Sequence, residues 1–122
     1  MTINSNEYSK ICKELFSLSE TVQVTTTTDF VSFSVDGEVG QGSVKLGHND
    51  GGDKKEDQTL LEVQEPVSQQ FALRYLNMFN KAASISNFTR LCLHQEQPLV
   101  VEFKIDNLGV LKYFLAPKIS DE

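Results

Sequence analysis

Residues 98–119, PLVVEFKIDNLGVLKYFLAPKI, contain two runs with an apolar residue at every second position. Leu99, Val101, Phe103 and Ile105 alternate with Val100, Glu102 and Lys104. Leu111, Tyr113 and Leu115 alternate with Val110, Lys112 and Phe114. A period of two sends successive side chains to opposite faces, so both runs predict strands with one buried face. On the second of them Phe114 falls on the face away from Leu111, Tyr113 and Leu115. Moving upstream, Leu91 and Leu93 alternate with Arg90, Cys92 and His94 and predict a further strand. Before it, after the break at Pro66, a helix is expected over 68–83.

The N-terminal half reads in the same way. Ser5 is the expected N-cap of a helix reaching about Leu18, with Tyr8, Ile11, Cys12, Leu15 and Leu18 at helical spacing. Val22 and Val24, then Val31, Phe33 and Val35, alternate with polar neighbours. Asp36-Gly37 is turn chemistry, and a third strand is expected over 39–46. Residues 47–58, GHNDGGDKKEDQ, carry no periodicity and predict a solvated loop, after which Leu61 and Val63 mark a short strand. The expected order is helix, three strands, loop, strand, helix, three strands. Antiparallel runs with two helices make an α+β domain, with both helices packed on one face of a mainly antiparallel sheet. The repeated order suggests an internal duplication.

A length of 122 residues fits a single domain spanning 1–122, able to build a core without disulfides or metal. The net charge of −6 excludes a uniformly basic nucleic-acid binder and leaves room for a locally basic face. No apolar run is long enough to span a bilayer, and no secretory leader is recognisable, so no membrane role is expected. Cys12 and Cys92 have neither disulfide-framework nor metal spacing, which favours buried reduced thiols in a cytosolic or nuclear protein.

The helix faces carry the functional signal. Opposite the first apolar stripe lie Asn6, Lys10, Lys13 and Ser17, spaced 4, 3, 4. Gln70, Arg74, Asn77 and Lys81 repeat that spacing 64 positions later. Each row falls on one helical face, neither contains an acid, and residues 66–95 contain none at all. Lys10, Lys13, Arg74 and Lys81 on one surface would contact phosphates without reading bases. The competing reading is a soluble peptide- or small-ligand-binding α+β domain with no DNA role, whose basic helix faces are merely solvated.

Catalytic and metal chemistry finds no support. Gly47 and Gly52 imitate a phosphate-binding loop, but Asp53 stands where lysine is required. His48, Asp50 and Asp53 lack calcium-loop spacing. Cys92 and His94 share one strand and cannot oppose each other as nucleophile and base. Glu102 and Asp106 also share a strand. The expectation is a protein that is not an enzyme and needs no cofactor.

Several separated blocks resemble the C-terminal domain of the proliferating cell nuclear antigen family, the eukaryotic sliding clamps. They are ICKEL (11–15), DGEVGQGSVKL (36–46), FALRYLNMFNKA (71–82), PLVVEFKI (98–105) and LKYFLAPKI (111–119). The resemblance implies a DNA-clamp fold whose first strand is cut to residues 1–3, leaving a frayed edge. It implies the C-terminal half of a two-domain subunit, three of which close around duplex DNA with helices inside and sheets outside. By that resemblance Lys10, Lys13, Arg74, Asn77 and Lys81 face the DNA. Pro98, Phe114, Ala116, Pro117, Lys118 and Ile119 match one side of a pocket for short motifs of polymerases, nucleases and ligases. Val39, Gly40, Gln41, Gly42, Ser43, Val44 and Lys45 match the strand that pairs with a neighbouring subunit. The implied role is a nuclear processivity factor in DNA replication and repair, loaded by clamp-loader proteins and working as a homotrimer. Thr28 stands where many members carry a modifiable lysine, and Phe114 replaces a common tyrosine.

Overall fold

The computed structural model describes residues 1–38, 40–47, 65–105 and 108–118. The elements are β1 (Thr2–Asn4), α1 (Ser5–Phe16), β2 (Thr21–Thr26), β3 (Phe30–Asp36), β4 (Gln41–Gly47), β5 (Val67–Ala72), α2 (Leu73–Phe79), β6 (Phe88–Cys92), β7 (Leu99–Ile105) and β8 (Gly109–Leu115). A 3-10 helix, Asn80–Ile85, follows α2 directly. The expected strand at Leu61 and Val63 and nearly all of the acidic loop lie outside the described residues, as do Val39, His48, Asp50, Asp53, Asp106 and Ile119.

The duplication is two copies of strand, helix and three strands, with the leading strands exchanged. One antiparallel sheet has the order β1-β6-β7-β8 and the other β4-β3-β2-β5. Thus β1 pairs with the three strands of the second repeat, and β5 with those of the first. The exchanged strands each bury an apolar anchor, with Ile3 and Phe71 both 0% exposed. This ties the repeats into one core, because neither sheet is complete without the other half of the chain. The described strands therefore form two sheets, and α1 straddles them, touching both β4 and β6.

The expected helix over 68–83 is the main correction. Residues 67–72 are β5, in which Val67, Gln69 and Phe71 are buried while Ser68 and Gln70 are exposed. That alternation is a strand period, hidden in the sequence because Gln69 looks like a surface residue. Only seven residues of α-helix follow. At the other helix Asn4 rather than Ser5 is the cap, its Oδ1 accepting from the Glu7 amide at 3.0 Å. Ser5 is buried instead, sharing a hydrogen bond with Thr89 at 2.9 Å.

The short first strand is held rather than frayed. The Met1 ammonium donates to the Leu91 carbonyl at 3.2 Å, and the Leu91 amide donates to the Met1 carbonyl at 2.7 Å. Tyr8, Ile11, Cys12 and Leu15 of α1 share one buried cluster with Val22, Val24, Val31 and Phe33, the Tyr8 and Phe33 rings lying 6.2 Å apart. Across the core Phe79 stacks on Tyr113 at 4.5 Å, and Phe103 meets the same ring edge-on at 6.1 Å. Gly37 is required at its turn because the Leu18 carbonyl occupies the space a Cβ would need. Strand β6 ends at Cys92, so His94 lies beyond it, and Cys92 is half-buried rather than buried.

Candidate functional site

Lys10 and Lys13 are exposed on α1, opposite its buried stripe. The second row is divided among three elements. Gln70 belongs to β5, Arg74 and Asn77 to α2, and Lys81 to the 3-10 helix. The helices start at Ser5 and Leu73, 68 positions apart, so the rows matched at 64 are one turn out of register. A slip of four is close to the 3.6 residues of a turn, so Arg74 stays on the outward side of α2 although the row as a whole does not share one helix.

Arg74 and Lys81 are exposed, but Asn77 is turned into the seam between the helices. Its Nδ2 donates to the Leu73 carbonyl at 3.1 Å and to the Cys12 carbonyl of α1 at 3.4 Å. Met78, 54% exposed, takes the outward place on α2, which the sequence pattern missed. Arg74 donates to the Tyr75 hydroxyl at 3.1 Å, with its guanidinium 5.0 Å from that ring. Among the described residues none of Lys10, Lys13, Arg74 or Lys81 pairs with a carboxylate. The ion pairs lie elsewhere, where Glu102 takes both Arg90 at 3.7 Å and Lys112 at 3.5 Å. Helix α1, helix α2 and the 3-10 helix thus carry four exposed cations with no carboxylate partner among the described residues.

The seam beneath them is not a reactive site. Burial pushes the Cys12 thiol from the usual 9.0 up to about 11, with Asn80 and Tyr8 beside it, and burial likewise raises the Tyr8 phenol. A thiol held neutral is a poor nucleophile. No three His, Cys, Asp or Glu side chains gather into a metal site among the described residues.

Among the described strands β4 ends its sheet, with β3 on one side and no described strand on the other. Gln41, Ser43 and Lys45 are exposed along it, Gly40, Gly42 and Val44 are half-buried, and the Lys45 ammonium sits 4.0 Å over the Phe30 ring. Among the described strands the other edges are β8, seven residues, β5, six residues and met at Gln70 by the Lys118 amide, and β1, only three. Charge on β4 and the brevity of β1 discourage unspecific pairing.

Phe114, 65% exposed on β8, is not part of the core. It pairs with Val100, and Pro98 lies two residues before Val100, so Pro98 and Phe114 share the outer face of the sheet. Beyond β8 the chain crosses to the other sheet. The Lys118 amide donates to the Gln70 carbonyl at 2.8 Å, and its ammonium donates to the Thr21 hydroxyl at 2.7 Å. This crossing closes one side of a groove of about 580 Å³, lined by Ala116, Pro117 and Lys118 with Gln23, Ser68, Gln69, Gln70, Gln95 and Glu96. Of the expected pocket residues, Ala116, Pro117 and Lys118 line this groove, while Pro98 and Phe114 are exposed and outside its lining. The glutamines were missed because a sequence offers no reason to bring 69 and 95 together.

A family model described as proliferating cell nuclear antigen, C-terminal domain, matches residues 1–118. The chain belongs to that family. That makes it a member of the sliding-clamp family, a family of non-enzymatic scaffolds associated with DNA replication. The α+β fold, with two helices against antiparallel sheets, agrees with that membership. Among the described residues, no helix is long and apolar enough to cross a membrane.

Proposed function

We propose that this chain forms the C-terminal half of a nuclear polymerase processivity factor, which encircles duplex DNA as a trimer of two-domain subunits. Lys10, Lys13, Arg74 and Lys81 face the duplex, and Asn77 braces α1 against α2, the helices that carry the first three. The observation that carries this reading is four exposed cations, free of carboxylate partners among the described residues, on touching helices of a chain with net charge −6. Diffuse attraction to phosphates suits a clamp, since binding that reads no bases lets the ring slide. Strand β4 pairs with the neighbouring subunit through its open edge. The groove beside 116–118, together with Pro98 and Phe114, docks short extended segments of DNA polymerases, nucleases and ligases. Clamp loaders and repair proteins use the same surface. Three copies of this chain alone supply only half of the domains such a ring needs, so light scattering should find no stable trimer.

The test is binding of the chain to duplexes of unrelated sequence over a series of salt concentrations. Weak binding, steep in salt and indifferent to sequence, is expected. Replacing Lys10, Lys13, Arg74 and Lys81 together by alanine should reduce the log–log salt slope by about 3 to 4, near 0.9 for each phosphate no longer neutralised. A slope unchanged in that variant would remove the DNA-facing assignment.

A further inference from the structure

Both walls of the groove hang from neighbouring residues of one strand. On the exposed side of β5, the Gln70 carbonyl holds the Lys118 amide and so the 116–118 wall. On the buried side, Gln69 holds the opposite wall. Its Nε2 donates to the His94 carbonyl at 2.9 Å, and its Oε1 accepts from the Glu96 amide at 3.0 Å. The Gln97 amide closes the same turn on the His94 carbonyl at 3.1 Å. Glu96 has a φ of 64°, in the left-handed region that glutamate does not favour. Gln69 is 9% exposed, and both ends of its amide are used on the backbone of this single turn. Leucine there would make neither bond, and glutamate would accept from Glu96 but donate nothing to His94.

We propose that Gln69 is the positioning residue of the groove, holding the 94–97 turn in a conformation the turn would not keep alone. The turn presents Gln95 and Glu96 to whatever lies in the groove, so Gln69 sets the distance of that wall from Ala116 and Pro117. This rests on the reading of the groove as the seat of an extended segment from a replication protein. Without Gln69, Glu96 relaxes out of the left-handed region and the wall moves. The 116–118 wall and the basic helices stay as they are, because Gln70 and α1 hold them independently.

The experiment compares the chain with Gln69→Leu, using backbone amide exchange and NMR titration with a synthetic peptide carrying the docking motif of a DNA ligase. Exchange at the Glu96 amide should speed up by about tenfold or more, while the amides of Val24 and Phe71 stay protected. Peptide affinity should fall by roughly five- to tenfold. Adding Glu96→Asn to Gln69→Leu should recover much of the affinity, since asparagine tolerates the left-handed conformation. A residue that merely stabilised the sheet would not be rescued in this way. Unchanged exchange at Glu96 would overturn the proposal, and so would faster exchange with unaltered affinity or a double variant no better than Gln69→Leu. If the parent chain shows no shift with the peptide, the docking reading fails and the positioning role with it. If the parent binds and Gln69→Leu binds equally, only the positioning role fails.

Discussion

In the first repeat, α1 runs twelve residues from a cap supplied by Asn4. In the second, α2 runs seven from Ala72, which offers no side-chain cap, and a 3-10 helix completes the layer. Aligned by their helix starts, Ile3 corresponds to Phe71, Tyr8 to Leu76 and Cys12 to Asn80. The apolar anchors of the exchanged strands are kept, and the chemistry of the helix seam is not. The edges differ as well. Strand β4 ends the first repeat in glycine, serine and one lysine, whereas β8 ends the second with Val110, Leu111 and Phe114 exposed. Duplication preserved what both halves need to fold, and let each half acquire its own surface. Among the described residues one edge offers mainly backbone groups. The other suits packing against apolar side chains.

The strongest way to break this comparison is through the exchanged anchors. Phe71→Ala should destabilise the chain by about 3–5 kcal/mol and Ile3→Ala by about 2–5 kcal/mol, both read from urea denaturation. Similar losses mean that each half depends on the strand it borrows. A loss at Ile3 below about 1 kcal/mol would mean that β1 is frayed and the exchange is one-sided.

The helix seam gives a pH signature. Cys12 titrates near 11 in the fold against the usual 9.0, so the unfolded chain loses this proton first as pH rises. Its contribution is whole below pH 9 and is lost between 9 and about 11, amounting to roughly 2–3 kcal/mol. Cys12→Val should make the alkaline decline shallower without abolishing it, because Tyr8, raised by the same burial, declines in the same direction. An alkaline profile identical in Cys12→Val and the parent would show that the thiol is not held neutral by the seam. A thiol reagent at neutral pH should modify half-buried Cys92 before buried Cys12.

The smallest effect is expected at the counterpart of Cys12. Asn80 is buried, and among the described residues its amide and the Tyr8 hydroxyl have no hydrogen-bond partner other than the neighbouring Cys12 thiol. Removing a poorly satisfied amide recovers its desolvation cost, so Asn80→Ala should change stability by less than about 1 kcal/mol in either direction. A loss above about 2 kcal/mol would mean that solvent inside the seam satisfies the amide.

Alternation at 22–24, 31–35 and 99–105 was enough to identify strands and their buried faces, since a period of two depends only on neighbours along the chain, whereas at 111–115 it identified the strand but not a buried face, because Leu111 is exposed and Tyr113 and Leu115 are only half-buried. The exposure of Lys10, Lys13, Arg74 and Lys81 was legible in the same way, but the second row as a single helix face was not, because Gln70 lies on β5, Asn77 turns into the seam and Lys81 is on the 3-10 helix. Tertiary structure alone decided that 67–72 is a strand, because the polar Gln69 is buried only when the 94–97 turn arrives to bond it. It also decided the exchange of β1 and β5, the turning of Asn77 into the seam, and the meeting of Gln69, Gln95 and Ala116 at one groove. Each of these depends on residues distant in the chain, whose pairing follows from how two sheets close over one core and leaves no local period to read.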